Sequence, residues 1–144
     1  MIAFDTNILV YAHRSESEFH ARAKGLVRSA AEGIEPWALL WPCLHEFVAV
    51  VTHPKIFKQP SELAVALQQV TLWLGSPTVV LLGEAEGYWE TLSRLARSGH
   101  IQGPKVHDAR IAALAAFHAV DELWSADRDF NRFPSLKVSN PLVG

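Results

Sequence analysis

Four acidic side chains have the chemistry and the placement of a divalent-cation site: Asp5, Glu46, Asp108 and Asp129. Each stands beside an apolar segment, where a strand or a helix would begin or end. Hard cations such as Mg²⁺ and Mn²⁺ bind carboxylate oxygens and keep several waters. Because clustered carboxylates raise each other's pKa, such a cluster is unfavourable without a cation. The set therefore predicts a bound metal that activates water for hydrolysis of a phosphate ester.

Two of these acids also suit the start of a helix. Asp5, followed by Thr6 and Asn7, belongs to a residue type that caps helix N-termini, and Thr and Asn share that preference. Asp108 suits the same role before the apolar run 109–120, where the helix dipole favours a negative charge. No Glu or Gln stands three residues later to complete a capping box, since position 111 is Ile. Capping and metal binding both remain open for each residue taken alone.

The other two acids have structural explanations as well. Glu46 falls opposite the apolar stripe of its predicted helix, where a solvated glutamate is the ordinary expectation. Asp127 and Asp129 follow a short apolar strand and could form a plain turn. Asp129 is the better anchored of the two because the apolar Phe130 follows it. The prediction of a site is therefore collective, and it depends on an α/β sheet bringing these segment ends together.

The elements that must position the acids alternate between short β-like runs and longer helical ones, a pattern typical of an α/β domain with a mainly parallel sheet. The strand before Asp5 is apolar on both faces, which predicts a central position. Sites in such sheets form at the carboxyl ends of strands, and Asp5 stands there. We expect Ser61 to cap one helix. Strands are predicted at residues 1–5, 38–41, 78–82 and 123–125, and helices after Asp5 and at 18–31, 44–51, 63–74, 84–97 and from 108 onward.

Composition limits the classes of protein that fit. The 144 residues, 49% of them hydrophobic, predict a single domain over 1–144 with a sizeable core. With 13 Lys and Arg against 15 Asp and Glu, the formal charge is −2, so a polyanion would need a local basic strip or a metal. Cys43 is the only cysteine, which excludes an internal disulfide and Cys-based zinc motifs. With no membrane-length apolar stretch and no signal peptide, we expect a cytoplasmic protein.

Competing motifs fail at single positions. His45 and Glu46 begin a zinc-peptidase pattern, but Ala49 stands where the second His is needed. Phosphatases with an aspartyl nucleophile need a second acid two residues after the first, where this chain has Asn7. The sequence also lacks a P-loop and a GxGxxG motif. These absences leave the acids as the main chemical signal.

Several short motifs, in their order and spacing, resemble the PIN domain of VapC-type toxins. They cover nearly the whole chain and include Asp5-Thr6-Asn7, the segment 42–47 around Glu46, His107-Asp108-Ala109 and the segment 125–130. The resemblance implies a PIN-like three-layer α/β/α fold and a Mg²⁺- or Mn²⁺-dependent endoribonuclease, the toxin of a bacterial type II toxin-antitoxin pair. It also implies a homodimer and a small antitoxin whose C-terminal segment occupies the active-site groove.

The same resemblance assigns roles to the site residues. Asp5, Glu46 and Asp108 match the core metal-binding acids of the family, and Asp129 matches its more variable fourth acid. The residues matching supporting positions are Thr6 and Asn7, which are polar and follow the first acid, and Ser125, which carries a hydroxyl after the last strand. Asp127 is an extra acid, either a supporting residue or an alternative ligand.

The sequence leaves two alternative functions open, as well as the roles of the basic residues and the tryptophans. The chain could be a non-catalytic module that binds RNA or a partner, or a metal phosphatase or DNA nuclease. A local basic rim could hold an RNA backbone, or it could be ordinary solvated charge. We expect the tryptophans to lie mostly in the core or in dimer contacts rather than against bases. The basic rim would comprise Arg14, Arg22, Lys24, Arg28, Lys105 and Arg110, and the tryptophans are Trp37, Trp41, Trp73, Trp89 and Trp124.

Overall fold

A single parallel sheet organises the computed structural model, which describes residues 1–143. Within those residues it has five strands: β1 (Ile2–Phe4), β2 (Trp37–Leu40), β3 (Val79–Leu82), β4 (Glu122–Trp124) and β5 (Val138–Ser139). Their order across the sheet is β3-β2-β1-β4-β5, and every neighbouring pair is parallel. The prediction of a mainly parallel α/β sheet is therefore confirmed.

Helices cover both faces of the sheet. They are α1 (Thr6–His13), α2 (His20–Glu32), α3 (Trp41–Val51), α4 (Leu63–Leu74), α5 (Tyr88–Ser98) and α6 (Val106–Phe117). One apolar cluster joins the sheet to α5 and α6, and a second joins it to α1, α2, α3 and α4. This arrangement is the expected three-layer α/β/α fold. Over residues 1–143, the helices are all too short or too polar to span a bilayer.

The first strand lies at the centre of the sheet, as its apolar sequence predicted. β1 pairs with β2 on one side and with β4 on the other. Ala3 is buried in one of the two apolar clusters and Phe4 in the other, so successive side chains fill opposite faces. The segments that carry Asp5, Glu46 and Ser125 begin where these parallel strands end, after residues 4, 40 and 124. The sheet thereby gathers them at one edge.

Several element boundaries differ from the predicted ones. Trp41 is the first residue of α3 rather than the last of β2, because Pro42 fits the first turn of a helix, where its missing N–H is no loss. The helix predicted from 84 starts only at Tyr88, after Gly87 adopts a left-handed conformation with φ of 90°. The two-residue β5 was not predicted. The remaining boundaries agree within two residues.

Ser61 does not cap α4, which corrects the prediction made from its residue type. The N-cap is Glu62, and it makes no side-chain capping bond. The Ser61 hydroxyl instead bonds to the His13 ring at 3.0 Å and accepts a bond from Arg14 at 3.1 Å. These bonds tie the end of α1 to the segment between α3 and α4.

Candidate active site

The Asp5 side chain both caps a helix and faces the candidate site. Asp5 is the N-cap of α1, and its Oδ1 accepts a bond from the backbone N–H of Thr6 at 2.8 Å. Its Oδ2 accepts a 2.6 Å bond from Ser125 and a 3.3 Å bond from Asn7. The residue is only 4% exposed. Capping and a functional role are thus compatible at this position, since different bonds fix the same carboxylate.

Burial changes the acidity of Asp5. Loss of solvation raises the pKa of its carboxyl from an ordinary 3.8 to about 6, and the nearby charge of Glu46 adds to the increase. Hydrogen bonds from Ser125 and Thr6 oppose that shift because they stabilise the ionised form. A buried carboxylate that is costly to ionise is the kind of group that a cation would stabilise.

A polar network joins α1 to the segment that follows β4. The Asn7 amide donates to Ser125 at 3.2 Å, and its oxygen accepts from the backbone N–H of Ala126 at 3.1 Å. The Ser125 hydroxyl also accepts from the backbone N–H of Asp127 at 3.0 Å. Asn7 and Ser125 therefore orient Asp5 and Asp127 together. The two segments that they join are about 120 positions apart in the chain.

Glu46 is exposed on α3, as its helical phase indicated, yet it faces the same groove. Its carboxylate accepts a 3.2 Å bond from the buried Thr6 hydroxyl. That contact joins α3 to α1 across 40 positions of sequence. Glu46 is therefore both exposed to solvent and part of the candidate site.

Asp108, Asp127 and Asp129 form the other side of the cluster. Each offers a carboxylate oxygen, and the three oxygens lie within 4.8 Å of one another. Asp108 lies in the first turn of α6 rather than at its N-cap, which is Lys105. Partial burial, and next the charge of Asp127, raise the pKa of Asp108. The structure thus removes the capping explanation for Asp108.

Lys105 is a cation inside this acidic cluster. Its ammonium group pairs with Asp129 and lies 3.8 Å from Asp108. The hydrogen bond from Lys105, with a smaller contribution from the charge of Arg132, lowers the pKa of Asp129. The sequence placed Lys105 only in a basic rim. Its pairing with Asp129 depends on a turn 24 residues away, and no local pattern around Lys105 indicates that contact.

A groove of about 290 Å³ collects four of the five acids. Asp5, Glu46, Asp108 and Asp127 line it, whereas Asp129 stands outside against Lys105. An apolar wall faces the acids, and sequence reasoning did not identify it. The wall comprises Val10, Tyr11, Val50, Ile56 and Phe57. The sequence signal for this wall is the apolar pair Ile56 and Phe57 after Pro54, and Ile56 is an exposed large apolar side chain.

The donor atoms suit a hard divalent cation. The groove acids supply carboxylate oxygens, and hydroxyl or amide groups from Thr6, Asn7 and Ser125 support two of them. Mg²⁺ and Mn²⁺ prefer oxygen ligands and are bound through a few carboxylates plus water. A softer metal would need His or Cys in the cluster, and the metal-competent group found within residues 1–143 consists of aspartates.

The expected basic rim is largely neutralised by ion pairs. Arg14 pairs with Glu16, Arg28 with Glu32, and Arg110 with Glu84. Lys105 is engaged by the acidic cluster itself. Surface pairs of this kind add little stability, but they reduce the charge available to a polyanion. Among residues 1–143, Arg22 and Lys24 form no ion pair, so the pairs reduce the charge of the predicted rim without removing it.

Comparison with known proteins agrees with this architecture. The model of the PIN domain family matches residues 2–136. Ribonuclease VapC48 of Mycobacterium tuberculosis is 36% identical over 141 residues, which cover 98% of this chain and 97% of that protein. VapBC2 of Rickettsia felis, solved bound to a DNA fragment from its promoter, has a TM-score of 0.64 at 21% identity and covers 97% of this chain and 98% of its own.

A second solved structure has the same fold. VapC20 of M. tuberculosis, a toxin that cleaves the sarcin-ricin loop, superposes with a TM-score of 0.66 at 17% identity. The match covers 91% of this chain and 93% of that one. The resemblance read from the short motifs is confirmed by the family match and by the 36% identity. The chain belongs to the PIN domain family, among its VapC ribonucleases.

Proposed function

We propose that this protein is a metal-dependent endoribonuclease that acts as the toxin of a bacterial type II toxin-antitoxin pair. The observation that carries the proposal is the convergence of Asp5, Glu46, Asp108 and Asp127 in one groove, with Asp5 buried at its base. The ribonuclease names of relatives at 36% identity support RNA as the substrate. The acids alone are equally suited to other phosphodiesters. The choice of RNA as the substrate therefore rests on the names of the relatives.

Asp5, Glu46 and Asp108 would hold the cation, which is Mg²⁺ or Mn²⁺. When bound, such an ion lowers the pKa of an attacking water and stabilises charge on the leaving oxygen of a phosphodiester. Asn7 and Ser125 keep Asp5 aimed at the groove through their bonds to its Oδ2. Thr6 holds Glu46 in the same way. These bonds reduce the reorganisation needed when substrate arrives.

Asp127 and Asp129 take different positions in this scheme. Asp127 lines the groove directly, and its backbone N–H is fixed by Ser125. Asp129 is held by Lys105 outside the groove, with a carboxylate oxygen within 4.8 Å of those of Asp108 and Asp127. We assign Asp129 as the fourth acid and Asp127 as a supporting acid, and Lys105 as the group that neutralises the cluster in the metal-free protein.

The proposal extends to partners and to domain organisation. The family implies a homodimer and a small antitoxin, whose C-terminal segment would enter the groove between the acids and the apolar wall around Phe57. VapBC2 of Rickettsia felis, a relative by fold, is by its name a VapBC assembly. We further propose that residues 1–144 form a single domain, since both apolar clusters share the one sheet.

The test is cleavage of structured RNA by purified protein, with Mn²⁺ or Mg²⁺ and with a chelator. Asp5→Asn and Asp108→Asn should lower cleavage by at least about a hundredfold, because each removes a charged ligand of a catalytic metal. Asp121→Asn is the matched control, since Asp121 is the one aspartate outside the site and pairs with the N-terminus. Equal cleavage by the folded site variants would sink the assignment, and metal binding without any cleavage would favour a non-catalytic module.

A further inference from the structure

The tryptophans do not all lie in the core, and Trp89 is the most exposed of them. Trp89 on α5 is 70% exposed, whereas Trp37 and Trp73 are buried. A single exposed apolar side chain is common on protein surfaces, so Trp89 suggests a binding partner only together with the residues around it. The surroundings of Trp89 indicate what that partner is.

Two arginines share the surface of Trp89. Arg94 and Arg97 line the same shallow depression on α5 as Trp89 and Ser93. Spacings of four and eight residues place Ser93 and Arg97 on the same helix face as Trp89, so the face extends about 12 Å along the axis. Within residues 1–143, neither arginine has a carboxylate at ion-pairing distance. In contrast to Arg14, Arg28 and Arg110, neither forms an ion pair, although Glu90 lines the same depression.

This surface leads towards the acidic groove. The C-terminal end of α5 packs against the 3₁₀ turn Arg128–Arg132, and a Cβ built on Gly99 would lie 3.3 Å from the backbone oxygen of Arg132. That turn begins directly after Asp127, and the charge of Arg132 acts on Asp129. We name Trp89, Ser93, Arg94, Arg97 and Arg132 the α5 strip. Its members extend from an exposed aromatic ring at the start of α5 to the 3₁₀ turn that follows Asp127.

A polyanion needs such a surface on this protein. The chain carries a formal charge of −2, the groove is lined by acids, and Lys105 and Arg110 beside it are paired with carboxylates. A cation in the groove compensates only locally, so the rest of an RNA backbone would be repelled without a separate basic contact. A second copy of the chain is a poorer occupant of the strip, because a two-fold contact would bring like charges together.

We propose that the α5 strip binds a single-stranded segment of the RNA substrate outside the groove, with a base stacked on Trp89 and phosphates contacted by Arg94, Arg97 and Arg132. Aromatic rings bind unpaired bases by stacking, and guanidinium groups bind phosphate oxygens through paired N–H donors. The proposal rests on the proposed ribonuclease function. Its new content is a second contact that positions RNA, distinct from the metal-binding acids.

The binding test uses a fluorescein-labelled oligouridylate and protein carrying Asp108→Asn, so that no cleavage occurs. Trp89→Ala should weaken binding by about tenfold, as expected for the loss of one stacked base, while Trp89→Phe should keep most of the affinity. The double variant Arg94→Ala, Arg97→Ala should reduce the salt slope of log K by about 1.4, since each lost phosphate contact on single strands contributes about 0.7. Lys137→Ala removes an exposed cation that pairs with Glu122 and lies outside the strip, the groove and the predicted rim, so it is the matched control and should change neither quantity.

Cleavage kinetics in the otherwise wild-type protein separate positioning from chemistry. Strip variants should raise KM by a similar factor and leave kcat within about twofold, because substrate binding is lost and the acids are untouched. Melting temperatures should be unchanged, since the altered side chains are on the surface. A strip variant that lowers kcat while KM stays constant would overturn the positioning role.

The outcomes distinguish this inference from the proposed function. If wild-type protein cleaves RNA and the strip variants match it in affinity and salt slope, the strip is refuted and the function stands. If wild-type protein binds the oligouridylate through the strip but cleaves no RNA, the function fails and the strip stands. If the variants leave RNA binding intact but convert a dimer to a monomer in sedimentation, the strip is a protein interface and the inference is overturned.

Discussion

At the scale of single residues, Asp5 shows how the candidate chemistry opposes stability. Its carboxyl is 4% exposed, and burial raises its pKa from 3.8 to about 6. Folding therefore favours the protonated form of Asp5. The stability that the protonated carboxyl contributes is fully present below pH 4 and is lost as the pH rises through about 6. A rise in the pKa from 3.8 to about 6 corresponds to roughly 3 kcal/mol of destabilisation at neutral pH.

Asp5→Asn should therefore make the metal-free protein more stable at neutral pH. We expect a gain of about 1 to 3 kcal/mol in the free energy of unfolding at pH 7.5 in chelator, because the buried charge is removed. The gain should disappear near pH 4, where Asp5 is protonated. Urea denaturation at the two pH values measures it, and Asp121→Asn, at an exposed ion pair, should show no gain at pH 7.5. A pH-independent effect of Asp5→Asn would contradict the assigned cause.

Ser125 should tune the acidity of Asp5. Its 2.6 Å hydrogen bond lowers the pKa of Asp5 against the larger effect of burial. Ser125→Ala should raise that pKa further, so the acidic limb of the cleavage profile should move to higher pH, because metal binding needs the ionised carboxylate. Ser125→Thr keeps a hydroxyl and should restore the profile. An unchanged acidic limb in Ser125→Ala would remove Asp5 from the set of groups that control it.

At the scale of elements, the backbone conformation of two glycines gives opposite expectations. Gly87 precedes α5 with φ of 90°, in the region that L side chains rarely adopt. Gly25 lies in the middle of α2 with open space around its Cβ position. Gly87→Ala should destabilise the protein by about 1 kcal/mol, and Gly25→Ala should stabilise it by about 0.5 to 1 kcal/mol. Thermal unfolding of the pair checks this, and changes of the same sign would contradict it.

Local patterns predicted the elements whose signals are local. The bounds of α4 agree with the predicted 63–74, since Gly75 gives a clear stop. β5, with two residues, is too short for any alternation to register, and tertiary pairing with β4 creates it. Trp41 was assigned to a strand because the apolar run continues past Leu40, and only the position of Pro42 marks the helix start.

The candidate site was predictable in its residue types but not in its contacts. Asp5 and Asp108 were identifiable because acids at the ends of apolar segments are conspicuous in a sequence. The bond from Thr6 to Glu46 and the pairing of Lys105 with Asp129 join distant segments, which no local pattern encodes. Sequence spacing also could not settle the roles of Asp127 and Asp129, which depend on how the turn after β4 folds: Asp127 lines the groove and Asp129 pairs with Lys105.

At the scale of the whole molecule, folding and metal binding should be linked. If residues 1–144 form a single domain, thermal and urea unfolding should each show one cooperative transition that coincides for all probes. Mg²⁺ or Mn²⁺ at about 100 times its Kd should add about 2.7 kcal/mol to the free energy of unfolding. Calorimetry with and without metal measures this. Asp5→Asn should abolish the increment, and an equal increment in that variant would place the metal elsewhere.

The central position of β1 also sets when the protein can become active during its synthesis. The carboxylate of Asp5 is synthesised well before its closest hydrogen-bond donor, Ser125, which follows 120 residues later. At roughly 5 to 20 residues per second, that interval lasts about 6 to 24 seconds. A nascent or truncated chain lacks β4 beside β1, and therefore has neither the clamp on Asp5 nor Asp127. An incomplete translation product would be harmless to the RNA around it, including the messenger from which it is made.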